Sequence, residues 1–346
     1  MMTMTPGKYW GLRRIADDAG RFKMLAVDQR PPIKDLVRTG RNITEAPEKD
    51  VATIKRVLVE ELGEFASGVL LDPHHAYPAA IEHVPHGCGL LLTLEDSVFE
   101  QRPRGRLSAE IHDWSVGKIR RIGADAVKLL AWYRPDADPE VNEYQQQFVE
   151  HVGEACARFD IPFLFELLVY SFPDEENHNA GYVEQSSKHA EHVIESVATF
   201  SDPRYGVDVF KLESPLNALD VPDPLDGEQR AIDEAQGWFN ELDSAAKVPW
   251  VMLSAGATKQ AFTRILTYAY RAGASGFLAG RAIWWDEMQT FPDIERARTS
   301  LRSTSAAYMV DINRMTDREA TPFVSHRSVG PLTLDSSFRT TYGDVT

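Results

Sequence analysis

Eight short apolar runs recur along this chain, each bounded by turn residues, and between most of them lies a longer amphipathic stretch. The runs are Phe22–Asp28, Ser67–Asp72, Gly89–Leu94, Ala124–Leu130, Phe163–Tyr170, Asp208–Glu213, Trp250–Ser254 and Ser275–Ala279. They are apolar almost throughout rather than at alternate positions, so both faces of each are expected to be buried, as in parallel strands. Helical periodicity predicts helices over Glu48–Phe65, with Pro47 suited to its first turn, and over His112–Ile122, Val141–Phe159, Val183–Phe200, Glu228–Ala246 and Lys259–Ala272. The connection after Pro73 is short and carries no clear pattern. Strands that alternate with helices in this way predict a single (β/α)8 barrel, the TIM-barrel form of the α/β class. An open doubly wound sheet is the structural alternative, but no GxGxxG follows the first run, which argues against dinucleotide binding. One or two further helices are expected past Gly280. The barrel with its terminal helices is thus assigned to residues 1–322, and residues 323–346, rich in Ser, Thr, Gly and Pro, to an extended or partly disordered tail.

Charge and cysteine usage narrow the function. The 346 residues carry a net charge of -15. A nucleic-acid partner needs a basic face, and no cationic cluster is visible, so no nucleic acid is expected. An anionic substrate must then be held by a local nest of cations and amides. Cys88 and Cys156 lie in apolar contexts and read as reduced core thiols. The N-terminus lacks the apolar core of a signal peptide, and no run reaches membrane-spanning length, so a cytoplasmic protein with no membrane contact is expected.

Barrel enzymes carry their chemistry at or near the C-terminal ends of strands. The polar residues inside or just after the apolar runs are therefore the candidates. Asp28 and Gln29 end the first run and Arg30 follows. Lys128 lies in the fourth, Glu166 in the fifth and Lys211 in the sixth. Burial lowers the pKa of a lysine, and a neighbouring cation lowers it further, which makes an amine that attacks a ketone at neutral pH. A carboxylate between two such lysines, with its own pKa raised by apolar surroundings, can shuttle protons during imine formation. Read singly, each charge could be half of a structural ion pair; burying the whole set without use would be costly. Ser254, Ala255 and Gly256 end the seventh run, and Gly280 and Arg281 follow the eighth. Small residues admit close approach of backbone amides to an anion, and loops after the last two strands are the usual barrel phosphate site.

The motifs LAVDQR, EFASGVLLDP, DWSV followed by GADAVKLL, IPFLFELLVYS, YGVDVFKLESPL, VMLSAG and GFLAGRAIW resemble those of the class I tagatose 1,6-bisphosphate aldolases. They are also similar to the sulfofructose 1-phosphate aldolases. The resemblance runs from about Met24 to Trp285. It implies a cofactor-free carbon–carbon lyase that cleaves a phosphorylated ketose to glycerone phosphate and an aldehyde. It also implies that Lys211 forms the Schiff base, Glu166 is the acid/base carboxylate and Lys128 a companion lysine. Asp28 would take the C4 hydroxyl proton and Gln29 would contact substrate hydroxyls. Ser254, Gly280 and Arg281 would hold the C1 phosphate, with Arg30 a candidate for the anion at the far end. A homo-oligomer is expected.

Several other readings compete. His74 and His75 follow the second run, and His83 and His86 have HxxH spacing, as ligands of a zinc-dependent aldolase would. A transaldolase would use the same imine. A non-catalytic sugar-phosphate sensor would have no need of Lys211, Lys128, Glu166 and Asp28 together. Trp284 and Trp285 read as packing, Tyr133 as a residue within reach of the mouth, and Tyr342 is given no role.

Overall fold

The structure, a computed structural model, describes residues 4–175, 190–332 and 334–343. Among them, parallel strands close a barrel in sequence order: β1 (Phe22–Ala26), β2 (Gly68–Leu71), β3 (Gly89–Thr93), β4 (Ala126–Trp132), β5 (Phe163–Leu168), β6 (Val209–Leu212), β7 (Trp250–Met252) and β8 (Gly276–Ala279). All eight expected strands are present, β4 beginning two residues later than its run suggested. The helices at Pro139–Arg158, Gln229–Ala245 and Lys259–Ala272 match their periodicity closely. The one at Glu48–Leu62 begins just after Pro47, which stands ahead of its first turn rather than in it. The helix expected from His112 is shorter, Val116–Arg121, because the Ser115 side chain caps its start. Of the helix expected over Val183–Phe200, Ala190–Phe200 is seen and the remainder lies outside the described residues. The connection after Pro73 holds a five-residue helix, Ala76–Ala80.

Strand parity sorts the side chains into two cores. Leu25, Val27, Val69, Val127, Phe165, Phe210, Trp250 and Phe277 belong to the layer between strands and helices. Met24, Ala26, Leu70, Leu91, Ala126, Leu164, Val209, Val251 and Leu278 fill the barrel interior. The interior is closed from below by Met4, Leu12 and Ile15 and by Phe323, stacked on Phe22 with ring centroids 5.5 Å apart. Leu12 and Ile15 lie on a helix not expected from the sequence, Pro6–Ile15. The expected tail boundary at Phe323 thus falls inside this packing. Further along, Tyr342 hydrogen-bonds Asp160, as does Thr5, so both ends of the described chain meet at one carboxylate in the loop before β5.

Two additions shape the mouth. A helix at Pro31–Arg41 starts directly after β1, with prolines in its first turn. A hairpin, Glu100–Arg102 paired with Gly105–Leu107, follows β3. Its Arg106 is buried, with its guanidinium 4.4 Å from the Phe99 ring, 4.6 Å from Trp132 and 5.0 Å from Tyr170. Burial pushes its pKa down to about 10. Past Gly280, helices at Arg281–Met288, Ile294–Ser300 and Ala306–Glu319 complete the outer layer. No helix among the described residues is long and apolar enough to cross a membrane.

Candidate active site

At the C-terminal end of the barrel the interior ceases to be apolar. One register step above Leu164 and Val209, Glu166 stands beside Lys211 as cross-strand partners. Lys128 lies two residues above Ala126 on β4, next to Thr93 of β3. The same inward parity that gives the lower barrel its leucines and valines therefore gives the upper barrel its charges.

These charges touch. Lys211 Nζ donates to Glu166 Oε2 at 2.8 Å. Lys128 Nζ lies 2.9 Å from that same oxygen, so one carboxylate oxygen joins both lysines. Lys128 also donates to Asp28 Oδ2 at 3.0 Å and to Glu95 Oε1 at 2.6 Å. Three carboxylates around one ammonium make Lys128 a fixed cation. Burial would push the Asp28 carboxyl up, but Lys128 and Lys211, helped by Lys55, hold it well below the usual carboxylate range. For Glu95 the balance falls the other way: complete burial outweighs Lys128 and Arg30 and pushes its pKa up.

The two lysines differ in access. Lys128 is 0% exposed, whereas Lys211 is 5% exposed and lines a solvent-open cavity. Asp28, Gln29, Glu166, Ser254, Ala255, Gly280 and Arg281 share that wall, and Leu168, Leu253 and Leu278 are among its apolar residues. Gln29 presents a buried Oε1 that has no hydrogen-bond partner among the described residues. A polar atom left unsatisfied beside a cavity is what a hydroxyl-bearing ligand would complete.

The anion end is built from two loops. Ala255 and Gly256 follow β7 with φ of 47° and 72°. The left-handed region costs an alanine roughly 1 kcal/mol or more, strain of a kind that gathers at binding sites. A Cβ on Gly256 would lie 3.3 Å from Arg281 Cζ, so the guanidinium from the β8 loop rests over the β7 loop. Gly280 starts the helix Arg281–Met288, and a Cβ there would come within 2.6 Å of the Ala26 carbonyl and 2.7 Å of Gln29 Nε2. Only glycine allows the loop to seat this deeply. Cation, helix start and close-packed backbone thus meet at the usual barrel phosphate position.

Two expected contacts lie elsewhere. Arg30 is only 4% exposed and lies off the cavity wall. Its Nη2 donates to the Glu95 carbonyl at 2.9 Å, whereas its buried Nε and Nη1 have no hydrogen-bond partner among the described residues. Tyr133 faces the outer layer, because the inward parity of β4 falls on Lys128, Leu130 and Trp132; its ring lies edge-on to Phe200, 4.8 Å away, and its hydroxyl accepts from Gln146. Trp284 is buried and donates to the Ala26 carbonyl, a packing role. Of the histidines, His75 is buried, His74 is exposed, and His83 lies 3.3 Å from Glu60 on the outside. Among the described residues no group of three or more His, Cys, Asp or Glu side chains forms a metal cage.

Glu95 was not anticipated. Its carboxylate is fixed by Lys128 and, through Oε2, by the Leu130 N–H at 3.0 Å. It stands just past β3 as Asp28 stands just past β1, so the same sequence signal was available for it.

Comparison with known proteins finds aldolases in sequence and in fold. Residues 22–286 match the family model described as DeoC/LacD family aldolase. A tagatose 1,6-diphosphate aldolase 2 of Streptococcus mutans is 34% identical over 334 residues, covering 95% of this chain and 100% of that protein. A tagatose 1,6-diphosphate aldolase of Lactococcus lactis is 34% identical over 93% of this chain and 99% of its own length. Among solved structures, the fold is shared with an archaeal fructose 1,6-bisphosphate aldolase, with a TM-score of 0.52, 18% identity, and coverage of 84% of this chain and 97% of that one. The fructose-bisphosphate aldolase of Plasmodium falciparum aligns with a TM-score of 0.61 and 12% identity, over 90% and 94% of the two chains.

Proposed function

The chain belongs to the DeoC/LacD family of aldolases, a carbon–carbon lyase of the class I ketose-phosphate kind, and from that premise we propose that it cleaves tagatose 1,6-bisphosphate to glycerone phosphate and glyceraldehyde 3-phosphate. The substrate follows the names of the relatives that match nearly the whole chain. The observation that carries the mechanism is the single Glu166 oxygen lying 2.8 Å from Lys211 at the cavity and 2.9 Å from the fixed cation Lys128.

In its neutral form Lys211 attacks the C2 carbonyl. Glu166 is close enough to move a proton from the Lys211 nitrogen to the former carbonyl oxygen, and a second proton, taken up from solvent through Glu166, lets that hydroxyl leave as water while the imine stays protonated. The protonated imine then draws electrons from the C3–C4 bond as that bond breaks, while Asp28 takes the C4 hydroxyl proton and the aldehyde product departs. Its depressed pKa keeps Asp28 ionised and so ready as a base. The remaining enamine is protonated at C3, and water releases glycerone phosphate from Lys211. Lys128 stays a cation throughout, offsetting the charge on Asp28 and Glu166. Ser254, Ala255, Gly256, Gly280 and Arg281 hold the C1 phosphate, and Gln29 binds a substrate hydroxyl. The proposal includes a cytoplasmic homo-oligomer whose catalytic unit is residues 1–322 together with Phe323, which closes the barrel from below.

Steady-state kinetics on tagatose 1,6-bisphosphate, fructose 1,6-bisphosphate and 6-deoxy-6-sulfofructose 1-phosphate, side by side, test the substrate. The highest kcat/KM is expected on tagatose 1,6-bisphosphate. A clear preference for the sulfonate would overturn the substrate assignment, and turnover only with an added acceptor aldehyde would make the protein a transaldolase.

A further inference from the structure

Glu95 is not part of the cavity wall, yet it is the most heavily tied carboxylate of the group. Its Oε1 holds Lys128 at 2.6 Å, its Oε2 takes the Leu130 N–H, and its carbonyl takes Arg30 Nη2. It is 1% exposed. Three elements meet on it: the loop after β1 through Arg30, the end of β3 that carries it, and β4 through Lys128 and Leu130. Burial pushes the Glu95 carboxyl up, but both of its oxygens accept from N–H donors, Lys128 Nζ and the Leu130 amide, a pattern that suits the carboxylate rather than the acid. A spacer would not need a charge. An apolar side chain at this position would leave Lys128 with Asp28 and Glu166 only, and both of those are needed free to exchange protons with substrate.

We propose that Glu95 is a positioning residue: it supplies the permanent countercharge of Lys128, so that Asp28 and Glu166 can gain and lose protons without Lys128 moving or losing its own. The inference rests on the proposed Schiff-base reading of Lys211. It divides the three carboxylates by task, with Asp28 and Glu166 on the cavity wall and Glu95 behind it. Arg30 belongs to the same assembly, locking the Glu95 backbone from the β1 side. The charges facing Glu95 are Lys128 from β4 and Arg30 and Asp28 from the β1 end, with Glu166 and Lys211 one contact further.

The test is Glu95→Gln, nearly the same shape without the charge. It should lower kcat by about 10-fold or more with KM little changed, the pattern of a group that acts after binding. Loss of one close countercharge should also move the alkaline limb of the kcat/KM–pH profile to lower pH by about one unit or more. Glu95→Asp restores the charge and should return that limb toward its wild-type position, even if kcat stays low. A limb that does not move in Glu95→Gln, or that moves equally in Glu95→Asp, overturns the proposal, because packing alone would then explain the loss. If Glu95→Gln does not fold, the pair is compared as Lys128→Met with and without Glu95→Gln, since replacing both buried partners is tolerated where removing one is not. A change in kcat below about 2-fold on adding the second substitution supports action through Lys128; independent, multiplying losses overturn it. Borohydride trapping of wild type on the ketose separates the levels. No trapping means that the Schiff-base reading fails, whereas normal trapping with an unmoved pH limb removes Glu95 alone.

Discussion

Among the described residues two lysines are wholly buried, and their company differs. Lys55, on the helix Glu48–Leu62, sits between that helix and the barrel. It pairs with one carboxylate, Asp72, at 2.5 Å and donates to the Val27 carbonyl at 2.8 Å. Asp72 spends its other oxygen on the backbone N–H groups of His74 and His75. Every partner is fixed, and the charges match one to one. Lys128 instead lies among three carboxylates, one of them shared with a second lysine that faces solvent. The first arrangement holds a strand to a helix. The second holds charges that can be redistributed when a proton or a substrate arrives. Burial of a lysine does not separate the two; the sharing of one carboxylate oxygen beside a cavity does.

The difference can be broken experimentally. Glu166→Gln removes the shared oxygen's charge with little change of shape, and should lower kcat by about 10²-fold or more while KM moves little. A variant with normal kcat and weak binding would make Glu166 a positioning group and weaken the contrast. Lys55→Met should do the reverse. It leaves Asp72 buried without its cation and should cost about 3–5 kcal/mol in urea unfolding, with kcat at 25 °C near wild type. A catalytic loss with no loss of stability would place Lys55 in the reacting network.

The anion ends sharpen the same comparison. Arg281→Ala should lower kcat/KM about 10- to 150-fold on every ketose with a C1 phosphate. Arg30→Ala would spare singly charged ketoses if Arg30 held the far anion. Its place behind Glu95 predicts equal losses on singly and doubly charged ketoses, so fructose 1-phosphate beside fructose 1,6-bisphosphate decides the matter.

The smallest effect concerns acid stability. The folded pKa of Asp28 lies below its unfolded value of about 3.9, so its contribution is fully present above that unfolded value. It is lost as pH falls toward the folded pKa. The stability difference between wild type and Asp28→Asn should therefore be constant from pH 7 to about 5 and shrink below about pH 4. A difference that already fades near neutrality would mean that Asp28 is not held ionised.

Much of this was legible before any coordinates. A strand buried on both faces has little reason to carry a charge, so Lys128, Glu166 and Lys211 stood out against Val127, Leu167 and Leu212. Their meeting at one oxygen was not legible, because it depends on cross-strand register. The helix Pro6–Ile15 escaped because Gly7 and Gly11 weaken its propensity. Those glycines let it lie on neighbouring backbone: a Cβ would fall 2.4 Å from the Asp160 carbonyl and 2.3 Å from that of Asp125. Lys55 occupies an apolar-stripe position with Val51, Leu58 and Leu62, a signal that was present and unread. The hairpin that carries Arg106 is held by rings from β4 and the end of β5, contacts that no local pattern announces. That Arg30 Nη2 turns to the Glu95 carbonyl was not legible either, because following a catalytic strand says nothing of which way a long side chain turns.

The central claim is that Lys211, and not its buried neighbour, forms the covalent bond. Incubation with the ketose and borohydride, followed by peptide mass analysis, tests it most directly. Wild type should lose activity and gain the ketose-derived mass on Lys211, while Lys211→Met gains none. Trapping of Lys211→Met at the wild-type rate, or mass found on Lys128, would contradict the account.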